Sequence, residues 1–172
     1  MTMRNLRQDD VAKFDSVKTV REYLWQNKWK YTFEQMTNAM RFKGVFGGLK
    51  NVTDPVKFVL LVRKEDLFSS AIYPFIVPKK KRLEICELMN RANEHMIYGH
   101  FEMNMQTGKV RFRITQNWKD MKKTGVSKHM QRLMYLPVTM IDRYAKAFMA
   151  VIRSEACSEM AYAEAVKVLK NE

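Results

Sequence analysis

The side chains whose types and spacing could do chemistry are mostly cations. Lys79, Lys80, Lys81 and Arg82 form an unbroken run directly after Pro78, at the start of a predicted helix. That end of a helix presents free N–H groups and the positive pole of the macrodipole, so it suits an anion. Unpaired cations there cost roughly a few tenths of a kcal/mol each. Arg111 and Arg113 alternate along a predicted strand, and Trp118, Lys119, Lys122 and Lys123 follow it. If the fold gathers these segments, the chemistry is recognition of a nucleic acid, another polyanion or an acidic partner, with an exposed Trp118 available to stack. The competing readings are a solvated basic turn and a Trp118 that anchors its loop by partial burial.

Catalytic groupings are missing from the sequence. It has no Gly-x-Ser-x-Gly elbow, His-Glu-x-x-His pair, Cys-x-x-Cys pair or Rossmann glycine fingerprint. His95 and His100 straddle a predicted helix end and a strand, and His129 is remote, whereas closed zinc sites draw their ligands from local pairs. Glu84, Glu87 and Glu94 read as solvated helix charges. No catalytic residue, metal or cofactor is assigned, and the chain is read as a non-enzyme. Cys86 and Cys157 are too few for a disulfide framework and read as reduced thiols. The 31 Lys and Arg against 18 Asp and Glu leave a formal charge of +13. That excess favours anionic partners by long-range attraction, or else only solubilises the surface.

The unit that must position these groups spans residues 78–116. Ile85, Leu88, Met89, Ala92 and Met96 recur at spacings of three and four, the stripe of a helix with one buried face. After Gly99 the period changes to two. Phe101, Met103 and Met105 alternate with His100, Glu102 and Asn104, and beyond a Thr107-Gly108 turn Val110, Phe112 and Ile114 alternate with Arg111 and Arg113. Pairing Met105 with Val110, Met103 with Phe112 and Phe101 with Ile114 keeps the apolar set on one face and puts Glu102 opposite Arg113.

These residues also carry a resemblance. Pro78 before a helix, Asn90 and Asn93 toward its end, the Gly99, Phe101, Glu102 sequence and the alternating Arg111 and Arg113 resemble the middle of the YbjN family. The resemblance covers roughly residue 58 to the C-terminus. It implies a fold similar to type III secretion chaperones, no accepted enzymatic activity, and a homodimer. The lysines of the basic run depart from the family, whose members often carry acidic residues in that turn.

The rest of the chain completes an α+β pattern. Residues 1–13 read as a flexible N-terminus and 14–172 as one domain. Ser16 or Asp15 caps a first helix bearing Val17, Val20 and Leu24. Residues 28–34 alternate as a strand, and Met40 and Phe42 alternate with Arg41 and Lys43 in the next. Residues 56–62, almost wholly apolar, suit a central strand covered on both faces. Pro74 puts the strand at 67–77 on an edge or breaks it. Residues 117–127 read as a basic surface loop. A helix then runs to Leu136, Pro137 starts or kinks the next, and a last helix begins at Ser158 with Tyr162, Ala165, Val166 and Leu169 on its stripe.

The expected architecture is therefore a single α+β domain, a twisted antiparallel sheet with helices packed on one face; the likeness of that fold to the type III secretion chaperones is what the resemblance implies. The N-terminus lacks an apolar leader and no apolar run is long enough to span a membrane, which points to a cytoplasmic protein. The function that the resemblance implies is that of a chaperone-like or adaptor domain that binds a protein partner as a homodimer. A basic nucleic-acid or polyanion binder is the alternative.

Overall fold

Alternating burial along the strands sets the architecture. The computed structural model describes residues 11–170, with side chains as far as residue 167. In chain order the elements are α1 (Asp15–Gln26), β1 (Thr32–Gln35), β2 (Met40–Phe46), β3 (Val56–Val62), β4 (Asp66–Ile76), a 3-10 turn (Lys79–Lys81), α2 (Arg82–Asn93), β5 (His100–Met103), β6 (Lys109–Asn117), α3 (Trp118–Thr124), α4 (Val126–Ile152) and α5 (Ser158–Lys170). The order of helices and strands expected from the sequence is the order found, and the class is α+β. Residues 1–10 of the expected flexible N-terminus lie outside the described residues, as does the side chain of Leu169.

The strands form one antiparallel sheet in the order β1-β2-β3-β4-β6-β5. Its inner face buries Met40 and Phe42 from β2, Phe58 and Leu60 from β3, Leu67 and Ala71 from β4, Phe112 and Ile114 from β6, and Phe101 from β5. Each such large side chain removed from water contributes about 1.5–3 kcal/mol. The long helix α4 lies against this face: Tyr144 and Phe148 both pack edge-on against Phe101, with ring centroids 5.2 and 5.3 Å from it. Among the described residues no helix is long and apolar enough to cross a membrane.

Helix α4 passes through Pro137 without ending, where the sequence suggested a break. Proline has no N–H to give the carbonyl four residues earlier, which here is Leu133. The Ser69 hydroxyl, buried on the inner face of β4, donates to that carbonyl at 2.6 Å and satisfies it. Without that donor the buried carbonyl would cost about 1–3 kcal/mol. About two turns beyond Leu133, the Tyr73 hydroxyl donates to the Ile141 carbonyl at 2.7 Å. Burial, reinforced by Asp142 and Tyr144, pushes the Tyr73 phenol well above its ordinary range, so it stays a neutral donor.

Four further expectations are corrected. The strand expected at 28–34 begins only at Thr32, because Lys28 takes a left-handed conformation (φ 54°) that ends α1. There Trp29 N–H donates to Leu24 and Lys28 N–H to Trp25, the Schellman pattern. The basic loop expected at 117–127 contains α3, nucleated by Asn117, whose side chain accepts from the N–H groups of Lys119 and Asp120. The β5–β6 register is displaced by two residues: Phe101 faces Phe112, Met103 faces Val110 and Glu102 faces Arg111. Asn104 consumes the difference, accepting from the N–H groups of Gln106 and Thr107 in a longer turn. Finally, β3 is central but covered on one face only, with Lys57 exposed and Val59 and Leu61 half-buried. Of the two readings of Pro74 the break is the one found: β4 is not at an edge, and its pairing with β6 shifts register between Ile72 and Ile76.

Candidate functional site

The side of the sheet turned away from α4 is the most distinctive surface of the molecule. Among the described residues no helix covers it, and its side chains are exposed or half-buried. The pairing registers arrange these side chains in three rows that run across the strands. One row reads Glu34, Arg41, Leu61, Phe68, Thr115; the next Thr32, Lys43, Val59, Ser70, Arg113, His100; the third Val45, Lys57, Ile72, Arg111, Glu102. The two central strands, β3 and β4, thus supply an apolar floor of Val59, Leu61, Phe68 and Ile72. Strands β2 and β6 supply cationic walls on either side. Neighbouring strands lie about 4.8 Å apart, which separates the walls by roughly 14 Å.

Each wall is held by one carboxylate from the adjacent edge strand. On the β1 side, Glu34 accepts from Arg41 at 3.1 Å and Lys43 at 2.8 Å, and the Lys43 bond and charge, with Arg41, hold its carboxyl below the usual range. On the β5 side, Glu102 accepts from Arg111 Nε at 2.9 Å and Arg113 Nη1 at 3.3 Å, and lies 3.1 Å from His100. Partial burial pulls the Glu102 carboxyl upward, but the bond from Arg111 and the charges of Arg111, Arg113 and His100 outweigh it and leave it below the ordinary value. Arg113 and Arg63 also lean over the Phe68 ring, at 4.8 and 4.9 Å from its centroid. Arg41, Lys43, Lys57, Arg63, Arg111 and Arg113 outnumber Glu34, Asp66 and Glu102, so the face is net positive.

The lowered Glu102 value fixes a sign for pH dependence. A carboxyl with a depressed folded-state pKa stabilises the fold above its unfolded value and loses that contribution as pH falls through the folded one. Wild type should therefore exceed Glu102→Gln in melting temperature at neutral pH, by an amount corresponding to about 1 kcal/mol or less per exposed pair. The gap should close as pH drops below the ordinary glutamate value of about 4.3. A gap that is constant from pH 7 to pH 3 contradicts the clamp.

The cations singled out in the sequence do not converge. Arg111 and Arg113 stand on the open face. The Lys79–Lys81 turn lies at the Lys109 end of β6, where Val77 N–H donates to the Gly108 carbonyl, while Trp118 lies at the other end, its backbone N–H donating to the Glu65 carbonyl. At about 3.4 Å per residue these ends are roughly 27 Å apart. Lys79 and Lys80 are exposed, but Lys81 pairs with Glu84 at 2.7 Å. The Arg82 guanidinium is taken up by the β5–β6 turn, donating to the carbonyls of Met105 (2.7 Å), Gln106 (3.1 Å) and Val77 (3.3 Å). Trp118 is 5% exposed, with Lys122 over its ring, so the anchoring reading holds and stacking by an exposed indole does not. Lys122 pairs with Asp15 at 3.3 Å, while Lys119 and Lys123 are exposed on α3. Sequence reasoning missed the other half of the open face, Arg41, Lys43, Lys57 and Arg63. The alternation of Arg41 and Lys43 with Met40 and Phe42 was the available signal. Among the described residues no group of His, Cys, Asp or Glu is arranged to hold a metal ion.

The residues that carried the resemblance build one corner of the sheet. Asn93, at the end of α2, accepts from Phe101 N–H at 2.7 Å and donates to the Phe101 carbonyl at 3.1 Å, standing in for a neighbouring strand along the β5 edge. Gly99 has φ 79°, and a Cβ there would lie 2.4 Å from the Arg113 carbonyl. Phe101 buries its ring, while Glu102, Arg111 and Arg113 form the outer clamp.

No curated protein and no solved structure matches the chain, so the likeness to secretion chaperones gains no support from a solved fold. The model of the YbjN family, described as "Putative bacterial sensory transduction regulator", matches residues 16–148, a span that includes the whole sheet. The chain belongs to the YbjN family.

Proposed function

We propose that the chain is a non-enzymatic regulatory adaptor that binds a partner protein on the open face of its sheet. The observation that carries this reading is the apolar floor of Val59, Leu61, Phe68 and Ile72, half-buried between cationic walls with no helix of the described residues over it. An apolar strip rimmed by charge is a pattern that protein-binding surfaces present. The family's description as a regulator fits a role exerted through binding. Arg41 and Lys43 are paired with Glu34, and Arg111 and Arg113 with Glu102, while Arg41, Arg63, Arg111 and Arg113 also line an open depression over Val59, Leu61 and Phe68.

The alternative of a nucleic-acid or polyanion binder draws on the same charge. Platforms for single strands stack successive bases on several aromatic rings. These rows offer Phe68, already beneath two guanidiniums, and His100 at the rim beside Glu102. That composition favours a protein. The homodimer implied by the family resemblance would use another surface, since two open faces brought together would set cations against cations. The same reading places the protein in the cytoplasm.

A photo-crosslinking residue at Val59 tests the proposal in the cell that makes the protein. The expected result is a covalent adduct with a protein from Val59 and none from a matched probe at Trp25, which is 78% exposed on α1. Adducts with nucleic acid alone would overturn it.

A further inference from the structure

The open face has the dimensions and charge pattern of a cradle for a helix. We infer that its occupant is an acidic amphipathic helix of a partner protein, with an apolar stripe seated on Val59, Leu61, Phe68 and Ile72 and carboxylates on both flanks reaching the walls. This inference rests on the open-face reading above and adds the chemistry of the partner.

Three observations carry it. The first is width. A helix with its side chains is about 10–12 Å across, and the walls stand roughly 14 Å apart, so a helix lying along β3 and β4 reaches both. An added strand would pair at a sheet edge instead, and at the β5 edge Asn93 already occupies the Phe101 backbone. The second is length. Rows two residues apart are separated by about 6.7 Å, so three rows span about 13 Å, or roughly two and a half helical turns.

The third is the distribution of charge. Arg41 and Lys43 form one wall, Arg111 and Arg113 the other, and each pair shares a single glutamate from the neighbouring edge strand. Glu34 and Glu102 therefore already occupy, from the outer side, the kind of position that a partner's carboxylates would take from the inner side. Each wall retains a surplus cation for the partner, and Lys57 adds to it, while Arg63, over the Phe68 ring, is paired with Asp66 at 4.0 Å. A second copy of this chain is disfavoured as occupant, because its own open face carries the same sign.

Three synthetic peptides of about 14 residues test the inference, all with one leucine stripe and differing in flanks of Glu, Gln or Lys. Binding to the full chain is followed by amide chemical shifts. The Glu-flanked peptide should bind about tenfold or more tightly than the Gln-flanked one, the Lys-flanked peptide should not bind, and the shifts should centre on β3 and β4. In Arg41→Glu/Arg113→Glu the order should reverse. If that variant fails to fold, Lys57→Glu/Arg63→Glu, which leaves both glutamate clamps in place, should abolish the preference for the Glu-flanked peptide. Equal binding of all three peptides, shifts on another surface, or displacement of the Glu-flanked peptide by an equimolar single-stranded oligonucleotide of about 12 nucleotides overturns the inference. Protein adducts from Val59 without peptide preference overturn the helix and leave the partner reading standing. Absence of both overturns both.

Discussion

Phe112→Ala lowers the free energy of unfolding by about 3–5 kcal/mol, the range for removing a fully buried aromatic ring. Phe112 is 0% exposed and stands at the centre of the inner face on β6, between β4 and β5. Its ring meets Phe101 edge-on with centroids 5.0 Å apart, and Phe101 in turn meets Tyr144 and Phe148 of α4. Truncation opens a cavity at the junction of sheet and helix, where hydrogen-bonded strands on both sides prevent collapse into the space. Chemical denaturation with an unchanged slope would report the loss as stability alone. A loss under about 1 kcal/mol would mean that Phe112 does not face the core.

Gly99→Ala is expected to cost about 2–6 kcal/mol, although it adds only one methyl group. Two penalties combine. The backbone at Gly99 has φ 79°, where a side chain is strained, and the new Cβ would lie 2.4 Å from the Arg113 carbonyl and 2.7 Å from Phe112 Cε1. Neither neighbour can give way easily, since Arg113 belongs to a strand paired on both sides and Phe112 is packed in the core. Gly47 supplies the control. A Cβ there meets nothing within 4 Å and its φ is not positive, so Gly47→Ala should be neutral or stabilise by up to about 1 kcal/mol. Equal denaturation midpoints for the two variants would contradict the close approach at Gly99.

The order of elements was legible because each switch of period is written in the apolar residues, as at Gly99, where a helical stripe gives way to alternation. The β5–β6 register was not. A two-residue slip leaves every side chain on its own face, so the pattern cannot distinguish Phe101 opposite Ile114 from Phe101 opposite Phe112. The side chain of Asn104 decides between them. The segment after β6 reads as a loop because its lysines hide the i, i+3 pair that Trp118 makes with buried Met121, and because Asn117 is not read as a cap.

The candidate surface was half legible. Arg111 and Arg113 announced themselves by alternation. Their relation to Arg41, Lys43 and Lys57 follows from the sheet order, in which β4 pairs with β6 rather than with β5, and no local pattern records that. The uncovered face of β3 was hidden for a different reason. Val59 and Leu61 are as apolar as the buried Leu60 and Val62, so a strand that is open on one side reads as a strand buried on two.

Leu61→Glu/Phe68→Glu, probed by the crosslinker at Val59, tests the central claim most directly. Both side chains point away from α4 and are only half-buried. The variant should keep its fold, with a melting temperature within about 2–4 °C of wild type, the shift that a change of about 1 kcal/mol brings in a domain of this size. It should also lose the protein adduct formed from Val59. An adduct that persists undiminished in the folded variant would contradict the open face as the binding surface.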